Sequence, residues 1–353
     1  MALFRMKSST LWFLALTILL VFWPATAMWS SEPKSPLPHG TNIFAPASTP
    51  ARSIADLSVF VLAITGVIFV VVFALLVYSV VKFRGRVMDA GREPAQVYGS
   101  TQMEVAWTII PILIVVVLFL ATARVIHAIQ DAPEPAGAVQ VTVIGHQYWW
   151  EFRYPKFGIV TANELHIPVS DPRHPTPTFL QLLSADTDHS FWVPELAGKT
   201  DLIPNHPNRM WMDPQRTGVF LGQCAQYCGT QHAKMLLRVS VDGPEEFAAW
   251  VRAQQSRAVE NKSAIAGKRV FESNACMNCH AVSGTPADGR FGPDLTHLMS
   301  RATIAAGAAK NTPDNLRLWI DDPSAFKPGS QMPAMKLSEA DLHAVVSYME
   351  TLQ

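Results

Sequence analysis

Two long apolar runs decide what this chain can become. Leu57 to Val81 carries no Asp, Glu, Lys or Arg. As a helix rising 1.5 Å per residue it is about 37 Å long, enough to cross a bilayer with some tilt. Val105 to Ala123 is a second such run, about 28 Å long as a helix. Pro111 inside it is tolerable where neighbouring groups satisfy the freed backbone. Lys82, Arg84, Arg86 and Arg92 lie between the runs, so the hairpin loop is expected on the cytoplasmic side and both long ends outside. Only 16% of residues are charged, which agrees with membrane segments. The formal net charge is zero, and nothing points to nucleic acid.

The N-terminus fits the exported orientation. Residues 1–28 read as a secretory signal peptide: Arg5 and Lys7, the apolar stretch Leu11 to Trp23, and the small-residue site Ala25-Thr26-Ala27. An uncleaved membrane anchor is the alternative. Residues 29–53 are rich in Pro, Ser and Thr and read as an extended linker on the exported side. The membrane hairpin is assigned to 54–127.

Beyond the hairpin the pattern changes to short β-type runs broken by Gly and Pro. Examples are Val141 to Ile144, Phe179 to Leu183 and Leu236 to Val241, and many such strands suggest a sandwich or barrel. Glu245 to Val259 reads as a helix with Phe247 and Trp250 on one side, followed by a polar linker around 260–264. Helical segments are then expected over Ala266 to Ser273, Leu316 to Asp321 and Glu339 to Leu352.

All four cysteines fall in two short motifs. The first is Gly222-Gln223-Cys224-Ala225-Gln226-Tyr227-Cys228-Gly229-Thr230-Gln231-His232-Ala233-Lys234-Met235. Thiolate and thioether are soft ligands that select copper, and imidazole suits it too. A mononuclear blue-copper site needs one Cys, so the second thiolate suits two bridged coppers. A disulfide between Cys224 and Cys228 is the alternative in an oxidising compartment, and would leave His232 and Met235 at ligand spacing by coincidence. The second motif, Cys276-Met277-Asn278-Cys279-His280, is the C-x-x-C-H signature of covalent c-type haem. A zinc site would need a second ligand pair at metal spacing, and none is obvious in the sequence.

The spacing C-x3-C-x3-H-x2-M resembles the binuclear copper (CuA) loop of cytochrome c oxidase subunit II. Glu104-Val105-Ala106-Trp107-Thr108-Ile109-Ile110-Pro111 is similar to the start of that family's second membrane helix. Gly145 to Phe152, Asp186 to Pro194, Lys199-Thr200-Asp201 and Gly218 to Cys224 occur in the family's order. With the C-terminal haem motif, the chain resembles subunit II carrying a fused cytochrome c domain. The resemblance implies a two-helix transmembrane hairpin, a cupredoxin Greek-key β-sandwich over 138–243, a helix and linker over 244–264, and an all-α c-type cytochrome over 265–353.

The resemblance also implies site residues. His189, set among Asp186, Ser190, Phe191, Trp192, Val193 and Pro194, is the distant copper ligand. It joins Cys224, Cys228, His232, Met235 and the carbonyl of Gln226. The family commonly has Glu where Gln226 stands, and that Glu also reaches a magnesium ion. An amide oxygen is a weaker ligand for a hard cation, which weakens the case for magnesium here. Cys276 and Cys279 would attach the haem and His280 would ligate its iron. Among Met299, Met332, Met335 and Met349, the stretch Lys327-Pro328-Gly329-Ser330-Gln331-Met332-Pro333 selects Met332 as sixth ligand, with Met335 the runner-up. Tyr148 replaces a family Trp that passes electrons to copper, so Tyr148 and Trp149 are candidate electron acceptors; aromatic packing in a β core is the alternative. Asp186 and Asp188 could orient a donor. Glu104 would lie near the mouth of a proton channel in a neighbouring subunit, unless it only caps or snorkels at the membrane boundary.

The implied activity is electron input to a proton-pumping terminal oxidase. Electrons would run from cytochrome c, through the fused haem and the copper pair, to a catalytic subunit I that reduces O2, with subunit III beside it. The implied location is the bacterial inner membrane, among its lipids, with both metal domains on the periplasmic side. Two alternatives are a copper-bearing subunit of a nitric oxide reductase and a copper-binding or delivery protein. A quinol oxidase subunit is disfavoured because those lack the copper ligands.

Overall fold

The computed structural model describes residues 41–84, 96, 98–171, 173, 175–258, 261 and 264–353. The signal peptide, the first part of the linker and the loop residues Arg86 and Arg92 lie outside the described residues.

Two helices, α1 (Thr49–Lys82) and α2 (Thr101–Gln130), are long and apolar enough to cross a membrane. Their apolar side chains point mostly outward, as at Val67, Phe69 and Val115. That is the arrangement lipid requires and water would penalise. Pro111 lies inside α2. Helix α1 begins at Thr49, inside the stretch expected as linker, with Pro50 at its first turn. Proline suits that turn because its missing N–H has no intrahelical partner there anyway. Tertiary contacts decide this start, because Pro50, Ala51 and Ala55 are buried. Just ahead of it, Ser48 bridges Pro214, its carbonyl accepts the Arg52 N–H at 2.9 Å, and its Oγ accepts from Asp213 N–H at 2.9 Å. Helix α2 is tied at its far end, where Trp211 Nε1 donates to the Ile129 carbonyl at 2.7 Å.

The following region is a sandwich of two five-stranded sheets. The strands of the first are β1 (Val139–His146), β2 (Trp149–Tyr154), β3 (Ile159–Ala162), β5 (Thr178–Ser184) and β8 (Asn208–Met212), in the order β3-β2-β1-β5-β8. The second holds β4 (Glu164–Pro168), β6 (His189–Trp192), β7 (Thr200–Leu202), β9 (Gly218–Cys224) and β10 (Leu236–Asp242), in the order β4-β10-β9-β6-β7. The parallel pairs β1–β5 and β4–β10 close the crossovers of the topology.

Alternation along the strands builds the core. In β10, Leu237, Val239 and Val241 face inward while Leu236, Arg238, Ser240 and Asp242 are only half-buried. Trp150, Phe152, Tyr154 and Phe191 are fully buried between the sheets. Each such side chain contributes about 1.5–3 kcal/mol through area removed from water. Helix α3 (Pro244–Gln254) covers one side of the sandwich. There Trp250 stacks on His166 with ring centroids 4.6 Å apart, and Phe247 stacks on Trp250 at 5.9 Å. This helix ends earlier than the sequence suggests.

The C-terminal domain is built on α4 (Ile265–Ser273), α5 (Cys276–Cys279), α6 (Pro313–Asp321), α7 (Pro323–Phe326) and α8 (Glu339–Met349). Helix α8 packs Leu342, Val345, Val346 and Met349 inward, against Phe271 of α4 and Leu316 of α6. One short antiparallel pair, β11 (Thr303–Ile304) with β12 (Ala309–Lys310), interrupts an otherwise helical domain.

Candidate metal centres

The thiol-bearing loop lies between two hydrogen-bonded strands. Cys224 ends β9, Met235 immediately precedes β10, and Cys224 N–H donates to the Met235 carbonyl at 3.0 Å. A 3-10 turn over His232–Lys234 closes the loop. Strand β6 supplies the distant histidine, because Phe191 pairs with Cys224 and carries His189 to the same end of the sheet. His189 is fully buried. Its ring lies so close to β1 that a Cβ on Gly145 would sit 2.8 Å from His189 Cδ2.

The donor atoms converge. The two Sγ atoms are 3.8 Å apart. Cys224 Sγ lies 3.9 Å from His189 Nδ1 and 3.1 Å from the Gln226 carbonyl. Cys228 Sγ lies 3.7 Å from His232 Nδ1 and 3.8 Å from Met235 Sδ. Both thiols are free, which removes the disulfide alternative. Two adjacent thiols with two imidazoles and a thioether around them fit a copper pair, and leave no hard oxygen side chain in the set.

Electrostatics prepare the same site. The Cys224 thiol is held far below its ordinary value, first by its hydrogen bond with Cys228 and, against burial, by His189. Cys228 is pushed up by that bond with Cys224 and by burial. Two thiolates this close repel each other unless cations lie between them. Burial opposes protonation of His189, yet hydrogen bonds to Asp186 and Cys224 outweigh it. Asp186 accepts from His189 Nε2 at 2.8 Å, which leaves Nδ1 facing the thiol. Asp186 also accepts the Gln147 N–H at 2.7 Å, tying the β1–β2 turn to the histidine. This carboxylate is therefore committed inward, whereas Asp188 is exposed.

The second centre is an apolar cavity. Cys276, Cys279 and His280 line it, with Met332, Met335 and Met349. Met299 packs against the domain core instead. His280 Nδ1 donates to the Pro293 carbonyl at 2.8 Å, so Nε2 is free to ligate. Burial holds its pKa below the ordinary value, which keeps the ring neutral and ligating. A Cβ on Gly292 would lie 2.5 Å from the His280 ring, so glycine permits this close packing. Arg301 is buried, lines the cavity, and leaves its Nε without a partner. A buried guanidinium donor facing an apolar cavity fits a ligand that is apolar in its body and anionic at its edge, as haem is. Arg301 carried no sequence signal of its own.

Tyr148 and Trp149 also line this cavity, although they belong to the sandwich. Trp149 stacks on His146 with centroids 4.2 Å apart. Tyr148 Oη accepts the Thr230 N–H of the thiol loop at 3.1 Å. Glu104 lies apart from both centres, in the first turn of α2.

A membrane hairpin, a β-sandwich with a two-thiol copper-type loop, and a haem-type helical domain define a membrane-anchored electron carrier. Family models match in the same order. The transmembrane domain of cytochrome c oxidase subunit II matches residues 36–125, its periplasmic domain 173–241, and cytochrome c 264–353. Cytochrome c oxidase subunit 2 of Alkalihalophilus pseudofirmus is 35% identical over 315 residues, covering 87% of this chain and 90% of the relative. The Bacillus subtilis subunit 2 is 31% identical over 298 residues, covering 78% and 82%. The periplasmic domain of subunit II of Bradyrhizobium japonicum cytochrome oxidase is 28% identical, with a TM-score of 0.32. It covers 35% of this chain and 97% of that structure. The chain belongs to the cytochrome c oxidase subunit II family, with a C-terminal cytochrome c domain. These domains imply CuA copper and haem c, in a membrane protein with a periplasmic domain.

Proposed function

We propose that this chain is the electron-input subunit of a proton-pumping cytochrome c oxidase. The observation that carries the reading is the convergence of Cys224, Cys228, His189, His232 and Met235. Those five side chains, with the Gln226 carbonyl, would hold two coppers. Cys276 and Cys279 would bind the haem covalently, with His280 Nε2 and Met332 on its iron. Bound there, these groups supply one-electron carriers with closed coordination and no position for substrate.

The protein's own residues do the remaining work. Asp186 orients His189, and the Pro293 carbonyl orients His280. The sandwich core keeps the copper donors rigid, so little rearranges when charge arrives. Tyr148 lines the haem-type cavity and bonds to the thiol loop, Trp149 lines the cavity beside it, and both would pass electrons toward copper. A soluble cytochrome c or equivalent would be the donor, and haem-copper subunit I, with subunit III, the receiving assembly. The chain would sit in the bacterial inner membrane with both metal domains periplasmic. Glu104 would face a proton channel of subunit I. Gln226 offers an amide and not a carboxylate, which weakens the case for a magnesium ion beside it.

The test is purification of the intact complex. Two coppers and one covalent haem per chain, with oxygen uptake driven by reduced cytochrome c, are expected. A single copper, or no oxygen uptake with a loaded complex, sinks the proposal.

A further inference from the structure

Two charged side chains lie buried between the sandwich and the haem-type domain, and neither belongs to a ligand set. Glu164, at the start of β4, is 7% exposed. It accepts from Ala302 N–H at 3.0 Å, from Thr303 N–H at 2.9 Å and from Thr303 Oγ1 at 2.8 Å. Lys327, on the segment leading to Met332, is 3% exposed. Its Nζ donates back across the seam to the Tyr148 carbonyl at 2.9 Å, and within its own domain to the Ala305 carbonyl at 3.1 Å. An acid thus reaches one way across the seam and an amine the other way.

The seam runs along the segments that carry the two centres. Leu236 N–H, next to Met235, donates to the Ala306 carbonyl at 3.1 Å. Gln231 Nε2, next to His232, donates to the Pro328 carbonyl at 2.7 Å. Gln147 Nε2 donates to the Cys228 carbonyl at 2.6 Å, and Gln147 also lines the haem-type cavity. The thiol loop and the segment bearing Met332 are therefore bonded to each other.

Buried charges contribute little net stability, but stranding one without its partners is strongly destabilising. A slipped pose would leave Glu164 facing no donors, or Lys327 facing no carbonyl, while both stayed dry. Burial, reinforced by nearby Lys234, pushes the Lys327 ammonium down to about 7. Protonated or neutral, the nitrogen keeps donors for both carbonyls.

We infer that Glu164 and Lys327 are a two-point register lock, holding the C-terminal domain in one fixed pose on the thiol loop. The consequence for electron flow rests on the reading of the two centres as haem and copper. The locked pose would keep Cys276, Cys279 and His280, which would hold the haem, at one fixed separation from Cys224 and Cys228, which would hold the coppers. A one-electron transfer between the bound groups, the first oxidised by one unit and the second reduced by one unit, would then need no domain swing, no proton movement and no bond change. Glu164 and Lys327 are positioning residues, since neither touches a reacting atom.

The experiment uses the purified intact complex. Hydrogen exchange by mass spectrometry is read in peptides covering 228–236 and 302–306. In the wild type the seam amides exchange at least tenfold more slowly than exposed loops. Lys327→Met and Glu164→Gln, acting from opposite sides, each raise exchange in both peptides tenfold or more. Strands β1 and β5 stay protected, and the haem and copper spectra keep their wild-type form. On the same samples, haem-to-copper transfer is insensitive to glycerol in the wild type and becomes slower and viscosity-dependent in both variants. Wild-type exchange in both variants, unprotected seam amides in the wild type, or viscosity-dependent wild-type transfer overturns the lock. A wild-type complex lacking covalent haem or the two-copper signal overturns the underlying functional reading, while the exchange result still decides the lock.

Discussion

Asp186 shows how a single exposed-looking acid acts through a buried neighbour. Its hydrogen bond to His189 Nε2 sets which ring nitrogen faces Cys224. Outer partners of this kind are worth roughly ten- to a hundredfold in metal affinity. Asp186→Ala is expected to lower copper retention by about that factor, measured by competition with a chelator. At the haem centre, Met332→Leu is expected to abolish the low-spin Met/His spectrum. Loss on replacing Met335 instead reassigns the sixth ligand. Away from both centres, Glu151 is buried with hydrogen bonds from His146 and Arg153. Burial opposes its ionisation, but those bonds outweigh it, and its pKa lies below the ordinary 4.5. Because the folded pKa is depressed, the stabilisation is complete above the ordinary value and is lost as pH falls through the folded one. Glu151→Gln is expected to cost about 1–3 kcal/mol near pH 7 and to flatten the loss of stability below pH 4.5. Denaturant unfolding followed by tryptophan fluorescence measures both.

The elements differ in how plainly the sequence announces them. α1 and α2 are unmistakable, because uncharged runs of bilayer length have few other fates. The strands β1, β5 and β10 follow from β-type apolar runs between turn residues. The start of α1 at Thr49 does not, because contact with the sandwich decides it. Nor does the pairing of β6 with β9, which no local pattern encodes, although it carries His189 to Cys224. The same strand level explains Gly145. Gly145→Val would drive side-chain atoms into the His189 ring. Overpacking of this kind costs about 1–3 kcal/mol, and displacement of the ring is expected to broaden the copper EPR signal.

At the scale of the whole molecule, the thiol loop joins β9 to β10, so copper bound there would stabilise the sheet that holds it. A ligand that binds only the folded state adds about 2.7 kcal/mol at a hundredfold excess over its Kd. Stripping copper from the purified complex is expected to lower the melting temperature of the periplasmic part, and re-addition to restore it. Calorimetry with and without chelator checks this; an unchanged transition places the metal outside the folded core.

The sequence alone determined the membrane hairpin and the class of each centre. Those features are local: C-x3-C-x3-H-x2-M and C-x-x-C-H place their groups within a loop or a turn whatever the rest of the chain does. Tertiary structure decided what joins distant residues. His189 meets Cys224 across 35 positions through strand register, and Glu164 meets Thr303 across 139 through burial at a domain seam. Arg301, Glu164 and Lys327 were invisible as functional residues because nothing in their neighbouring sequence marks a buried charge. Spacing along a chain can bring donors together only as far as a loop reaches. Beyond that, hydrogen-bonded register and the cost of leaving a charge dry and unpaired decide which residues meet.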